Sequence, residues 1–119
     1  MPVRSLTSPV LKWPEPQKVM QALEHWVENL VKTQADIVRI GYFGSYARGD
    51  WGVGSDLDLV IIVERADKPF EMRPSRFDTM KLPVPVDILV YTLEEWQMNQ
   101  TKIFFQTLEN EAVWVYRRI

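Results

Sequence analysis

The stretch DLDLVIIVE, residues 56–64, constrains the fold more than any other part of the chain. From Leu57 to Val63 both alternating faces are apolar, with Asp58 the one exception. A strand with two apolar faces belongs inside a sheet, covered on both sides. The 119 residues suit one domain spanning 1–119, and 46% hydrophobic content supplies a core. Cysteine is absent, so disulfides and thiolate metal sites are excluded.

The remaining elements assemble around that strand. Val19, Leu23, Trp26, Val27, Leu30 and Val31 form one apolar stripe, predicting a helix that starts near Pro16. His25 falls off the stripe and reads as a surface residue. Residues 36–43, DIVRIGYF, predict a first strand, and residues 84–92, VPVDILVYT, a third. Between them, residues 65–82 carry Pro69 and Pro74, which predicts a loop with a short helix near Ser75–Lys81. Thr92 and Glu95 match a capping box. They open one helix carrying Leu93, Trp96, Ile103, Phe104 and Leu108 and ending near Asn110. Residues 112–117 predict a last strand. Residues 1–15, broken by prolines, read as an irregular arm. The class is α+β, with helices expected on one face of a sheet.

Charge narrows the function. Lys plus Arg number 14 and Asp plus Glu 16, a formal net charge of -2, so there is no strong nucleic-acid signal. No segment approaches the ~20 apolar residues that span a bilayer, and no membrane role is expected. The composition reads as that of a cytoplasmic protein.

Three carboxylates call for explanation. Asp56 and Asp58 are two apart, so on a strand both project from one face. Side by side they repel and resist burial, which calls for a cation. Asp87 interrupts the apolar strand VPVDILV and reaches the same place if strands two and three are neighbours. Hard oxygen ligands suit Mg²⁺ or Mn²⁺ held together with substrate phosphates. Each residue alone also has an ordinary reading: Asp56 as a turn or cap residue, Asp87 as an ion-pair partner.

Four of the five glycines lie just upstream, in GSYARGDWGVG, residues 44–54. Gly44 and Ser45 close strand one and offer a backbone approach and a hydroxyl to an anion. Tyr46-Ala47-Arg48 suit one helical turn, and Gly49, Gly52 and Gly54 suit the turn back into strand two. Trp51, near the loop tip, suits either a contact or burial under the loop. Trp13, Trp96 and Trp114 cannot all be assigned to the core.

Gly44-Ser45, ten residues, then Asp56-x-Asp58, with a third carboxylate Asp87 on a later strand, resembles the signature of the DNA polymerase beta-like nucleotidyltransferase superfamily. GSYARGD, SDLDLVI and PVDILVYT are similar to the minimal nucleotidyltransferases, stand-alone domains of about this size. The likeness runs from Val19 to Ile119. It implies a mixed sheet of the order α-β-turn-β-X-β-α. It implies that Asp56, Asp58 and Asp87 are catalytic and bind metal, with Asp87 helping to activate the acceptor hydroxyl. Gly44 and Ser45 would hold the triphosphate, with Arg48 a further phosphate contact. Larger relatives add an acceptor-binding domain, for which this chain is expected to be too short. The resemblance therefore implies the antitoxin half of a toxin–antitoxin pair. Such a protein would transfer AMP from ATP to a tyrosine of a helical HEPN toxin. A contact-only binding module and transfer to a small molecule are the alternative readings, and homo-oligomerisation is left open.

Overall fold

The computed structural model describes residues 14–118. The first 13 residues, with most of the expected arm and Trp13, lie outside the described residues. Helix α1, Pro16–Thr33, starts with proline at its first position and buries Val19, Leu23, Trp26, Val27 and Leu30. Proline is tolerated there because the first helical N–H has no acceptor to lose. Four strands follow: β1 Ile37–Phe43, β2 Leu57–Val63, β3 Val86–Thr92 and β4 Val113–Arg117. The sheet order is β3-β2-β1-β4. β1 is antiparallel to β2 and to β4, while β2 and β3 run parallel, so the sheet is mixed. No helix among the described residues is long and apolar enough to cross a membrane.

The mixed α+β class agrees with the sequence reading; the one-sided placement of the helices does not. α1 packs on the face carrying Leu57, Leu59, Ile61 and Val63. Trp96 of α3, Leu93–Met98, and Leu108 of α4, Ile103–Glu111, pack on the opposite face against Val38, Val60 and Ile62. The cause is β2 itself: a strand apolar on both faces exposes one of them to water unless helices cover both.

Two further expectations are corrected. The short helix lies at Phe70–Arg76, as a 3-10 helix containing Pro74, and not at Ser75–Lys81. Phe77 turns extended and buries its ring instead. Asp78 then makes a side-chain turn by accepting from the Met80 N–H at 2.9 Å, while its carbonyl accepts from Trp26 Nε1 at 2.7 Å. These bonds pin the crossover onto α1. The expected single helix after Thr92 is two. The capping box forms as read, with Thr92 Oγ1 accepting from the Glu95 N–H and Glu95 Oε1 from the Thr92 N–H. α3 stops at Asn99, whose side-chain amide donates to the Glu95 carbonyl at 2.7 Å and competes with helix continuation. Ile103 and Phe104, which the sequence reading placed on one continuous helix, are 80% and 53% exposed at the start of α4.

Candidate active site

One row of residues crosses the sheet at the end where β1 finishes and β2 and β3 begin. Phe43 pairs with Asp58 across the antiparallel ladder, and Asp58 pairs with Asp87 across the parallel one. The Leu57 N–H donates to the Pro85 carbonyl at 2.9 Å and carries the pairing to the strand starts. Asp58 shares its face with Val60 and Ile62, so it points to the side covered by α3 and α4. Asp56 lies one residue before β2 and is exposed. Asp87, read from sequence as enclosed by a buried strand, is also exposed, because β3 is an edge strand.

Gly44 continues this row into the loop. Its φ is 72°, and it precedes the single turn α2, Ser45–Arg48. A Cβ built there would lie 3.2 Å from Asp58 Cγ and closer still to Oδ2, so only glycine lets the main chain approach this carboxylate. Ser45 is half-buried, and its carbonyl accepts from Gly49 and Asp50, closing the turn. Trp51 lies stacked over Tyr46 with ring centroids 6.3 Å apart. Arg48 is exposed and pairs with Asp50 at 3.1 Å and Glu111 at 2.8 Å. Burial pushes the Asp58 carboxyl above the usual carboxylate range; Asp87 and Asp56 push it further, and Arg48 partly offsets them. No hydrogen-bond donor or ion-pair partner reaches Asp56, Asp58 or Asp87 among the described residues.

The nucleotidyltransferase domain family matches residues 24–110, which spans Gly44, Ser45, Arg48 and the three aspartates. The chain belongs to that family. Two solved structures share the nucleotidyltransferase fold. One is a Sulfolobus solfataricus protein assigned as a nucleotidyltransferase, 16% identical, with a TM-score of 0.61 over 91% of this chain and 93% of that one. The other is a toxin–antitoxin structure determined with AMP-PNP, 17% identical, with a TM-score of 0.56 over 79% of this chain and 73% of that one. No curated protein matches significantly.

A nucleotidyltransferase domain implies a divalent cation, and the donor chemistry here fits one. Three carboxylates with no ion-pair partner among the described residues, one of them partly desolvated, form an anionic locus that Arg48 offsets only in part. Among the described residues no three acidic or histidine side chains converge tightly enough to enclose a metal by themselves. Asp58 and Asp87 share one row, and Asp56 stands beside it. Such an open set suits Mg²⁺ or Mn²⁺, which keep water and phosphate ligands beside one or two carboxylates.

Sequence reasoning missed the other wall of this site. Thr107 and Glu111 of α4 line a cleft of about 290 Å³ together with Gly44, Arg48 and Asp58. Phe104 stands on the same wall. Its signal was a large apolar residue on a helix face, which is indistinguishable from a core residue until the helix break is known.

Proposed function

We propose that the protein is a metal-dependent nucleotidyltransferase that transfers AMP from ATP to a hydroxyl of a partner protein. The observation that carries the reading is the direct pairing of Asp58 with Asp87 beside Gly44, inside a nucleotidyltransferase domain. In this reading Asp56, Asp58 and Asp87 hold Mg²⁺ or Mn²⁺. Bound there with the nucleotide, the cation supplies neutralisation of charge on the α-phosphate oxygens. The chain's own groups do the rest. The Gly44 main chain and the Ser45 hydroxyl hold the triphosphate, with Arg48 as an added cation. Asp87, exposed at the edge strand, takes the proton of the acceptor hydroxyl as its oxygen bonds to the α-phosphorus. The bond from that phosphorus to the β-phosphate bridging oxygen breaks, and pyrophosphate leaves.

The fold shared with a toxin–antitoxin structure supports an antitoxin role with a toxin as acceptor, and the reading assigns a tyrosine of a HEPN-type helical toxin. The AMP-PNP in that structure supports an adenine nucleotide. The reading takes the cytoplasm as the compartment, because the proposed reaction consumes ATP. The test is incubation with ATP labelled at the α-phosphate, Mg²⁺ and the product of the neighbouring gene. Label on that protein, lost with EDTA and with Asp58→Asn, is expected. No label, or label undiminished in Asp58→Asn, contradicts the reading.

A second reading, neutralisation by contact alone, draws on the exposed apolar residues Met98, Ile103 and Phe104. An Asp56→Asn, Asp58→Asn double variant that still protects cells from the partner would favour it.

A further inference from the structure

The α4 wall has a composition that phosphate binding and proton transfer leave unexplained. Phe104, Thr107, Leu108 and Glu111 stand at i, i+3, i+4 and i+7 of one helix and face the cleft beside Asp58. Leu108, 2% exposed, floors it. Phe104 rises from the floor with half its surface open. Behind it, Phe105 meets its ring nearly edge-on at 5.6 Å. Phe105 is itself wedged between Tyr91 at 4.9 Å and Trp96 at 5.4 Å. Phe104 is therefore an aromatic surface propped from one side, with no other ring contact among the described residues.

The rim is polar. Glu111 Oε1 is fixed by Arg48 Nη1 at 2.8 Å, which leaves Oε2 as an acceptor held in place. The Thr107 hydroxyl has no partner among the described residues and can donate or accept. An apolar floor, a propped aromatic face and a rim of this kind fit a flat heteroaromatic ring with N–H groups at its edge. The cleft, about 290 Å³, has room for one such ring. Gly44 and Arg48 line the same cleft, which brings the proposed phosphate contacts within reach of this aromatic wall.

We propose that Phe104 is the stacking platform for the base of the incoming nucleotide, with Thr107 and Glu111 at the base's edge. The proposal rests on the nucleotidyl-transfer reading and adds to it the residue that separates a nucleotide from a bare polyphosphate. Stacking is sequence-tolerant because each base has a π-face, and loss of one aromatic platform weakens binding about 5- to 150-fold.

Calorimetry on the full chain in Mg²⁺ tests it, with ATP and inorganic tripolyphosphate as the two probes. The wild type should bind ATP more tightly than tripolyphosphate. Phe104→Ala should weaken ATP about 5- to 150-fold, leave tripolyphosphate within about twofold, and keep its melting temperature, because the ring is half exposed. Phe104→Trp should restore ATP affinity. Tight, undiminished ATP binding by Phe104→Ala overturns the proposal, and a loss confined to transfer onto the acceptor assigns this wall to the acceptor instead. A wild type that binds neither probe sinks the functional reading itself, a failure distinct from loss of the base contact.

Discussion

Asp36, Glu64 and Glu95 lie at the end of the sheet where β1 begins and β2 and β3 finish, and each is paired with an arginine. Arg76 holds Asp36, Arg118 holds Glu64 at 2.7 Å, and Arg73 grips both oxygens of Glu95 at 2.7 and 3.0 Å. Asp58 and Asp87 lie paired at the other end, with Asp56 beside them. The same functional group responds in opposite directions. Arg73, the largest influence, holds the Glu95 carboxyl below its usual range, whereas burial and then Asp87 and Asp56 push the Asp58 carboxyl above it. The paired end contributes stability. The unpaired end costs stability in the protein alone and offers a locus of negative charge to a cation. On the proposed reading, a chain that neutralises its acids in one place and concentrates them in another separates holding the fold from doing chemistry.

The comparison breaks most sharply at Asp58. Asp58→Asn should lower transfer about 10³-fold or more, measured as incorporated label. It should also leave the melting temperature of the metal-free protein unchanged or raise it by about 1–3 °C, since it removes a carboxylate whose charged form is disfavoured. A variant that loses activity through unfolding would place Asp58 with the structural acids.

Gly44 and Gly49 sharpen the contrast within one loop. Both have positive φ, 72° and 84°, but an added Cβ meets Asp58 at Gly44 and open space at Gly49. Gly44→Ala should cost about 1–3 kcal/mol and lower activity about a hundredfold. Gly49→Ala should cost about 1 kcal/mol with activity retained. Denaturant midpoints and initial rates on the same preparations separate the two.

Glu95 tests the paired end. Glu95→Gln should cost about 1–2 kcal/mol at neutral pH, the ion pair being discounted for solvent and the capping box weakened. A lowered carboxyl contributes stability that is present above the unfolded-state range and is lost as pH falls through the folded-state value. The stability gap between wild type and Glu95→Gln should therefore be full at pH 7 and close below about pH 4. A gap constant with pH would mean that packing, not charge, is lost.

Arg48 lies between the two classes and should show the smallest structural effect. It is an exposed arginine with two acidic partners, so Arg48→Ala should shift the melting temperature by no more than about one degree. The same change should raise the KM for nucleotide several-fold while kcat stays near wild type. A large thermal shift with unchanged KM would assign it to holding α4.

Much of this was legible in the chain itself. The stripe from Val19 to Leu30 repeats with one period and could only be a helix, and the double-faced β2 demanded the middle of a sheet. The alternation around Asp58 and Asp87 gave their faces, but the parallel register that pairs them depends on the crossover, whose packing through Phe77, Leu82 and Val84 has no local signature. The break between α3 and α4 is a short turn marked by the Asn99 amide bond to Glu95 and the Lys102 N–H bond to Asn99, too small a signal to read in an apolar pattern that fits a continuous helix. The Arg48–Glu111 pair joins residues 63 apart, so it exists only once the fold has formed.

On the proposed reading, Asp56, Asp58 and Asp87 await a cation that arrives with a nucleotide. Calorimetric titration of Mg²⁺ into the protein with a non-hydrolysable ATP analogue measures this directly. Saturable binding in the wild type, weakened at least tenfold in both Asp58→Asn and Asp87→Asn while Glu95→Gln binds normally, is the predicted result. Equal binding by the wild type and the two aspartate variants would contradict it.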